Sequence, residues 1–151
     1  MSEEYCNYLM KKYNSDDPLD EYSSQLGVRL LECRDGWVKT VLPVTGKITN
    51  PLGTVHGGCL FSLADTSAGI TNMTVGKIGP TISSNIEFMH AFSGSKNIYC
   101  EAEHTHCGRT VSFISLKIYG DNGVVGARGS MVYSVHPYTL EELEDPSGSG
   151  K

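Results

Sequence analysis

The sequence predicts an α+β domain in which one long apolar helix is wrapped by a five-stranded antiparallel sheet. Three observations predict it. The run "HGGCLFSLADTSAGITNM" (His56 to Met73) is apolar or small on nearly every side, so a helix there must be enclosed rather than laid on a surface. The flanking segments alternate with a period of two, as "WVKTVLPV" does at Val38, Thr40, Leu42 and Val44. Turn signals separate these segments, and an antiparallel sheet that curls is the simplest cover for such a helix.

Each element follows from its own residues. Residues Ser2 to about Tyr13 read as a short amphipathic helix capped by Ser2, with Tyr5, Tyr8 and Leu9 on one face. "NSDDPLDE" ends it. Between Leu26 and Val44, "LGVRLLEC" and "WVKTVLPV" are strands joined by the turn "RDG", and Thr45 to Val55 form a loop. The central helix follows and closes near "VGKIGP". Then come the runs "TISSNIEFMHAF", "NIYCEAEHTHC" and "RTVSFISLKIYG", the hairpin signal "DNG" (Asp121 to Gly123) and a last strand, "VVGARGSMVYSV". The tail "EELEDPSGSGK", acidic and then Gly/Ser-rich, is expected to be disordered. The 151 residues thus divide into an N-terminal helical segment (1–20), one wrapped domain (21–137) and the tail (138–151).

A net charge of -5 and a pI near 5.5 leave no basic surface for nucleic acid or an anionic membrane. Any polyanionic ligand must be held by a small local cluster of Lys and Arg. The N-terminus is charged, no apolar run approaches the roughly 20 residues of a membrane span, and the five Cys lack paired metal-ligand spacing. These features point to free thiols in a reducing cytoplasm.

The central helix carries two features that cost stability. Gly57 and Gly58, in the first turn, each cost up to about 1 kcal/mol against Ala in a helix interior, less near an end. They leave backbone N–H groups with no side chain in front, where the helix dipole is positive. Tight packing against a strand explains such a pair, and so does an anion or oxyanion site. Asp65 is the single acidic residue between Asp35 and Glu87, and its neighbours are apolar or small. It is either a structural Asp bonded to a Ser or Thr on a neighbouring strand, or a general base or nucleophile.

From Gly57 to Asp65 an ideal helix rises about 12 Å, too far for one small reacting group to touch both in the same chain. Two such helices running antiparallel place Gly57 of one beside Asp65 of the other. The spacing therefore predicts two identical composite sites in a two-fold dimer. His56 either fixes the loop or hydrogen-bonds a substrate carbonyl. Asn50, before Pro51, either caps the turn or positions a water or a carbonyl. A Cys59–His56 nucleophile pair is a weaker alternative. In "HTHC", strand alternation puts His104 and His106 on one face with Cys107 opposed, so no metal site is expected.

Together, "NPLGTVHGGCLFSLADTSAG" resembles the signature of the hotdog-fold acyl-CoA thioesterases of the phenylacetate-pathway (PaaI) type: Asn50, then His56-Gly57-Gly58, then Asp65. The resemblance continues through "TISSNIEFMHAFSG", "CGRT" and "GVVGARGSMVY", covering roughly residues 25 to 135. It implies a hotdog fold, an obligate dimer assembled as a dimer of dimers, and hydrolysis of an acyl-CoA ester. The Gly57 N–H would polarise the thioester carbonyl, Asn50 and His56 would orient the thioester or the water, and Asp65 of the partner subunit would act as base or nucleophile. Thr81 would help to hold the water.

By the same resemblance, His106, Cys107, Gly108, Arg109 and Thr110 would contact the CoA portion, with Arg109 on a phosphate. Phe88 would line the acyl or pantetheine channel. Ser83 falls in the substrate-binding run where Asp is common, and Ala91 stands where many relatives have Pro; both bear on substrate preference. CoA is part of the substrate, so no cofactor and no metal are required. The fold also hosts non-catalytic acyl-CoA sensing domains and hydratases or dehydratases. Asp65 together with Asn50 and His56 favours hydrolysis over both.

Overall fold

The computed structural model describes residues 2–17, 21–145 and 147, apart from the side chain of Ser2. The capping role expected of Ser2 therefore falls outside the description. Helix α1 spans Ser2–Tyr13 and buries Tyr5 and Leu9, while the Asn14 side chain bonds the Leu30 carbonyl at 2.8 Å and ties the helix end to the sheet. A one-and-a-half-turn helix, α2 (Tyr22–Leu26), precedes the first strand and stops at Gly27, whose φ of 88° suits the left-handed helix cap.

Strands β1 (Arg29–Arg34), β2 (Trp37–Pro43), β4 (Thr81–Phe88), β5 (Asn97–Cys107), β6 (Val111–Gly120) and β7 (Val125–Ser134) form one antiparallel sheet in the order β1-β2-β5-β6-β7-β4. The sheet has six strands where five were expected, because every alternating run between two turns is a strand of its own. A separate two-stranded ribbon pairs β3 (Lys77–Ile78) with β8 (His136–Pro137). The tail begins with order: α4 (Leu140–Glu144) carries a complete capping box between Thr139 and Glu142, and the Tyr8 hydroxyl bonds the Leu143 carbonyl. The disorder expected of 138–151 thus does not hold for residues 140–144, while residues 146 and 148–151 lie outside the description.

Helix α3 (Gly57–Met73) lies across the sheet. Leu63, Ala64, Ala68 and Ile70 meet the inward residues of the strands, Val38 and Leu42 from β2, Ile98, Cys100 and Ala102 from β5, Ile114 and Ile118 from β6, and Met131 from β7, all essentially buried. Thr40 interrupts this apolar face without penalty, because its hydroxyl meets the Ser67 hydroxyl at 2.7 Å. The sheet covers one side of α3 only. Phe61, Ser62, Asp65, Thr66, Gly69 and Met73 lie along the other side, partly or wholly open in the single chain. Next to it, β4 is an edge strand with Ile82 and Phe88 exposed. Among the described residues no helix is long and apolar enough to cross a membrane.

Candidate active site

The loop before α3 is a closed unit. Thr49 bridges Val55, and Asn50 holds the turn: its Oδ1 accepts from the Leu52 and Thr54 amides (3.0 and 3.2 Å), and its Nδ2 donates to the Thr54 hydroxyl at 2.8 Å. His56 follows in an extended conformation (φ −62°, ψ 132°) and caps the helix with its ring, Nδ1 accepting the Gly58 amide at 2.9 Å. An imidazole nitrogen that accepts must be unprotonated, so the neutral ring carries its hydrogen on Nε2. The amides of Cys59 and Leu60 both go to the His56 carbonyl. Among the described residues, nothing accepts the Gly57 N–H.

The two glycines have different reasons. A Cβ on Gly58 would lie 3.0 Å from His56 Nδ1, so the capping ring needs that position bare. A Cβ on Gly57 would lie 3.6 Å from Phe88 Cζ, an ordinary contact. Packing therefore does not demand glycine at position 57, which has an open amide and lines a groove. That groove, ≈ 250 Å³, is walled mostly by Val55, Leu60, Phe88, Met89, Ala91 and Phe92, with Thr54 and His90 as its polar lining. Polar donors at the foot of an apolar groove suit a substrate with an acyl chain and a carbonyl.

Asp65 lies half-buried in the middle of α3. Thr81 donates to Oδ1 at 2.6 Å, and the Tyr133 hydroxyl lies 2.7 Å from Oδ1 and 2.8 Å from the Asp65 carbonyl oxygen. Thr81 and Tyr133 are direct cross-strand partners on β4 and β7, which is why both reach one carboxylate. Burial first, and the carboxylate beside it, push the Tyr133 phenol well above its ordinary range, so it stays protonated. Sequence reasoning missed Tyr133. The available signal was its place on the inward alternation Met131, Tyr133, Val135, since a buried Tyr needs a partner for its hydroxyl.

Of the remaining candidates, His106 to Thr110 lie toward the C-terminal end of α3. Gly108 sits between β5 and β6, its amide bonded to the Val111 carbonyl, with Lys77 Nζ donating to its own carbonyl. Arg109 and Thr110 are exposed, Cys107 is half-buried, and the His106 ring tilts against Phe113 with centroids 5.8 Å apart. Ser83 is exposed on the β4 edge. The fold of one chain thus gathers Asn50, His56, Gly57 and Phe88 at the helix mouth, and joins Asp65 to Thr81 as a second group. It does not bring the two groups together through the helix.

Two sequence readings change here. A bulge at Thr105 pairs His104 with inward Ile114 and His106 with outward Phe113, so the two histidines face opposite sides of the sheet. His104 Nε2 meets Asn72 Oδ1 at 2.8 Å, and burial lowers its pKa below the usual 6.5, with Lys77 adding to the effect. Cys59 is buried, and burial raises its thiol pKa, opposing the activation expected at a helix start.

The chain matches the family model of the thioesterase superfamily over residues 52–127. It is 24% identical over 99 residues to the acyl-coenzyme A thioesterase PaaI of Escherichia coli, covering 66% of this chain and 71% of that protein. Among solved structures it is similar to a hypothetical thioesterase of Streptococcus pneumoniae determined with coenzyme A, with a TM-score of 0.71 and 26% identity over 74% of this chain and 91% of the other. The fold is also that of the Escherichia coli PaaI protein, with a TM-score of 0.69 and 24% identity over 78% of this chain and 83% of that one.

Proposed function

The chain belongs to the thioesterase superfamily and is a thioester hydrolase, and from that premise we propose that it cleaves acyl-CoA esters to a free acid and CoA at sites shared between two subunits. The observation that carries the proposal is the open Gly57 amide at the foot of an apolar groove. The acyl chain lies in the groove beside Phe88, and the thioester oxygen takes the Gly57 N–H. The Nε2–H of His56 is a second donor to the same region, because Nδ1 is already occupied as an acceptor. Asn50 serves by holding the loop that sets these donors.

The base or nucleophile is Asp65 of the other chain, steadied by Thr81. As base, Asp65 takes a proton from water while the water oxygen bonds to the carbonyl carbon; the oxyanion then re-forms the C=O bond, the C–S bond breaks, and the thiolate of CoA leaves and recovers the proton. As nucleophile, Asp65 itself displaces the thiolate, and water hydrolyses the resulting anhydride. A thiolate is a good leaving group, so the reaction needs oxyanion stabilisation and one carboxylate, with little demand for a general acid. The half-open side of α3 and the apolar β4 edge support pairing with a second copy in the head-to-tail sense this requires. That pairing also carries the segment His106–Thr110 of one chain toward the helix mouth of the other, where Arg109 meets a CoA phosphate, and Ser83 lies on the edge strand between. We assign the enzyme to the cytoplasm, with five free thiols, as a dimer of dimers.

One observation favours a second reading. Asp65 is hydrogen-bonded as a structural carboxylate would be, and in that reading it holds the helix to the sheet and takes no part in hydrolysis. A mixing experiment separates the two. Asp65→Asn should abolish release of free CoA thiol while leaving acyl-CoA binding intact. Asp65→Ala subunits unfolded and refolded together with Asn50→Ala/His56→Ala subunits should recover about a quarter of wild-type activity, since half of the dimers are mixed and each holds one intact site. Mixtures as inactive as their parents would refute the shared site, and unchanged turnover in Asp65→Asn would remove Asp65 from the chemistry.

A further inference from the structure

Asp65 has two oxygens, and the fold treats them differently. Oδ1 lies 2.6 Å from the Thr81 hydroxyl and 2.7 Å from that of Tyr133, while no described residue donates to Oδ2. The Tyr133 hydroxyl also lies 2.8 Å from the backbone oxygen of Asp65, so its one hydrogen is shared between the carboxylate and the helix backbone. Tyr133 is 4% exposed, its ring sits in the core, and its position is fixed by the register that sets it opposite Thr81. A buried phenol so held moves only if the sheet moves. A Cβ at Gly69, one turn beyond Asp65, would stand 3.9 Å from the hydroxyl, so that position does not crowd it.

We propose that Tyr133 is the positioning residue for Asp65: with Thr81 it fixes Oδ1, so that Oδ2 alone is presented to the thioester at the neighbouring subunit's helix mouth. The inference rests on the role given to Asp65 above and adds to it a residue to which the resemblance assigns no role. The physical content is a restriction of rotamers. A half-buried carboxylate on a helix can turn about χ1 and χ2, and each turn carries the reactive oxygen away from its line of attack. Two hydroxyl donors on one oxygen, from adjacent strands of a rigid sheet, leave a single orientation. Positioning of this kind acts on the chemical step rather than on substrate binding.

The test compares Tyr133→Phe with wild type in the full-length protein, measuring kcat and KM by thiol release with the best acyl-CoA of a panel. Phe keeps the buried ring and removes only the hydroxyl. The expected result is a kcat at least tenfold lower with KM within twofold. A merely structural loss would lower the active fraction, visible in the melting curve, and would not be repaired at the second donor. A companion pair therefore probes the same clamp from the exposed edge: Thr81→Val should lower kcat with KM unchanged, and Thr81→Ser, which restores a hydroxyl, should recover it. This pair decides the matter if Tyr133→Phe does not fold. Should Tyr133→Phe, or Thr81→Val in its place, keep kcat within twofold while Asp65→Asn abolishes turnover, the positioning role is wrong and the shared site stands. If Asp65→Asn itself turns over normally, the reading of the site fails, and this inference with it.

Discussion

His56 Nδ1 accepts the Gly58 amide at 2.9 Å, and this single bond decides which amide at the start of α3 is left open. A Ser or Asp cap serves the N2 or N3 amide in the same way. The imidazole does so while keeping a second nitrogen, with its hydrogen, on the outside of the cap. The helix start is thereby a two-donor corner: the Gly57 N–H and the His56 Nε2–H.

Replacing Gly57 with Pro isolates the amide. His56 already has the extended ψ of 132° that a residue before Pro prefers, and the first helical position is where Pro is best tolerated. A Cβ at this position meets Phe88 Cζ at 3.6 Å, an ordinary contact. The variant should fold with a near-native melting temperature and lose kcat by a factor of about 10²–10³, the usual consequence of deleting one oxyanion donor. Steady-state kinetics beside a thermal melt checks it, and a fully active Gly57→Pro enzyme would exclude the amide from the chemistry.

The two jobs of His56 separate by substitution. His56→Ala should lose about 1 kcal/mol of stability, as for other lost caps, together with rate. His56→Asn supplies a good capping side chain and should recover most of the stability, read as the urea midpoint. It does not recover the rate, because it offers no donor where Nε2 stands.

Acid sensitivity should trace in part to His104. Burial and Lys77 lower its pKa in the folded protein from 6.5, and its Nε2 and the Ser112 hydroxyl both meet Asn72 Oδ1. Below pH 6.5 the unfolded chain binds a proton that the folded chain resists, so the unfolded state gains and stability falls as pH drops toward the lowered value. Above 6.5 the effect is absent. Urea midpoints at pH 7.5 and 5.5 should therefore differ less in His104→Gln than in wild type, and an equal loss in both would rule out this source.

Cys59 should prove inert. Its thiol is buried and its pKa is raised, so Cys59→Ala should keep kcat within about twofold, and iodoacetamide at neutral pH should not inactivate the native enzyme through this residue. Loss of activity that tracks alkylation of Cys59, mapped by mass spectrometry, would revive the thiol as nucleophile.

What could be read from the sequence was what depends on neighbours along the chain. The 3.6-residue and two-residue periods exposed α3 and the strands, and the spacing from Gly57 to Asp65 exposed their separation along one helix. Helix α2 escaped because five residues are too few to show a period, and Gly27 that ends it looks like any loop glycine. The bulge at Thr105 is a property of the β5–β6 pairing, so simple alternation put His104 and His106 on one face. Tyr133 was hidden for a similar reason: its partnership with Asp65 exists only once the register sets it opposite Thr81. The capping by His56 escaped because a ring nitrogen rarely takes that place, and Asn50 was legible only as the pair of alternatives its bonds now resolve toward the turn.

If the site is shared as proposed, the gap of about 12 Å along α3 between Gly57 and Asp65 makes turnover a collective quantity. On that proposal a solitary polypeptide carries two halves of different reaction centres and the whole of none. Specific activity should therefore not be constant: on serial dilution it should stay level and then fall, and the midpoint of that fall should coincide with dissociation measured by sedimentation. Enzyme concentration would then act on the rate twice, once through the number of molecules and once through how many of them have company.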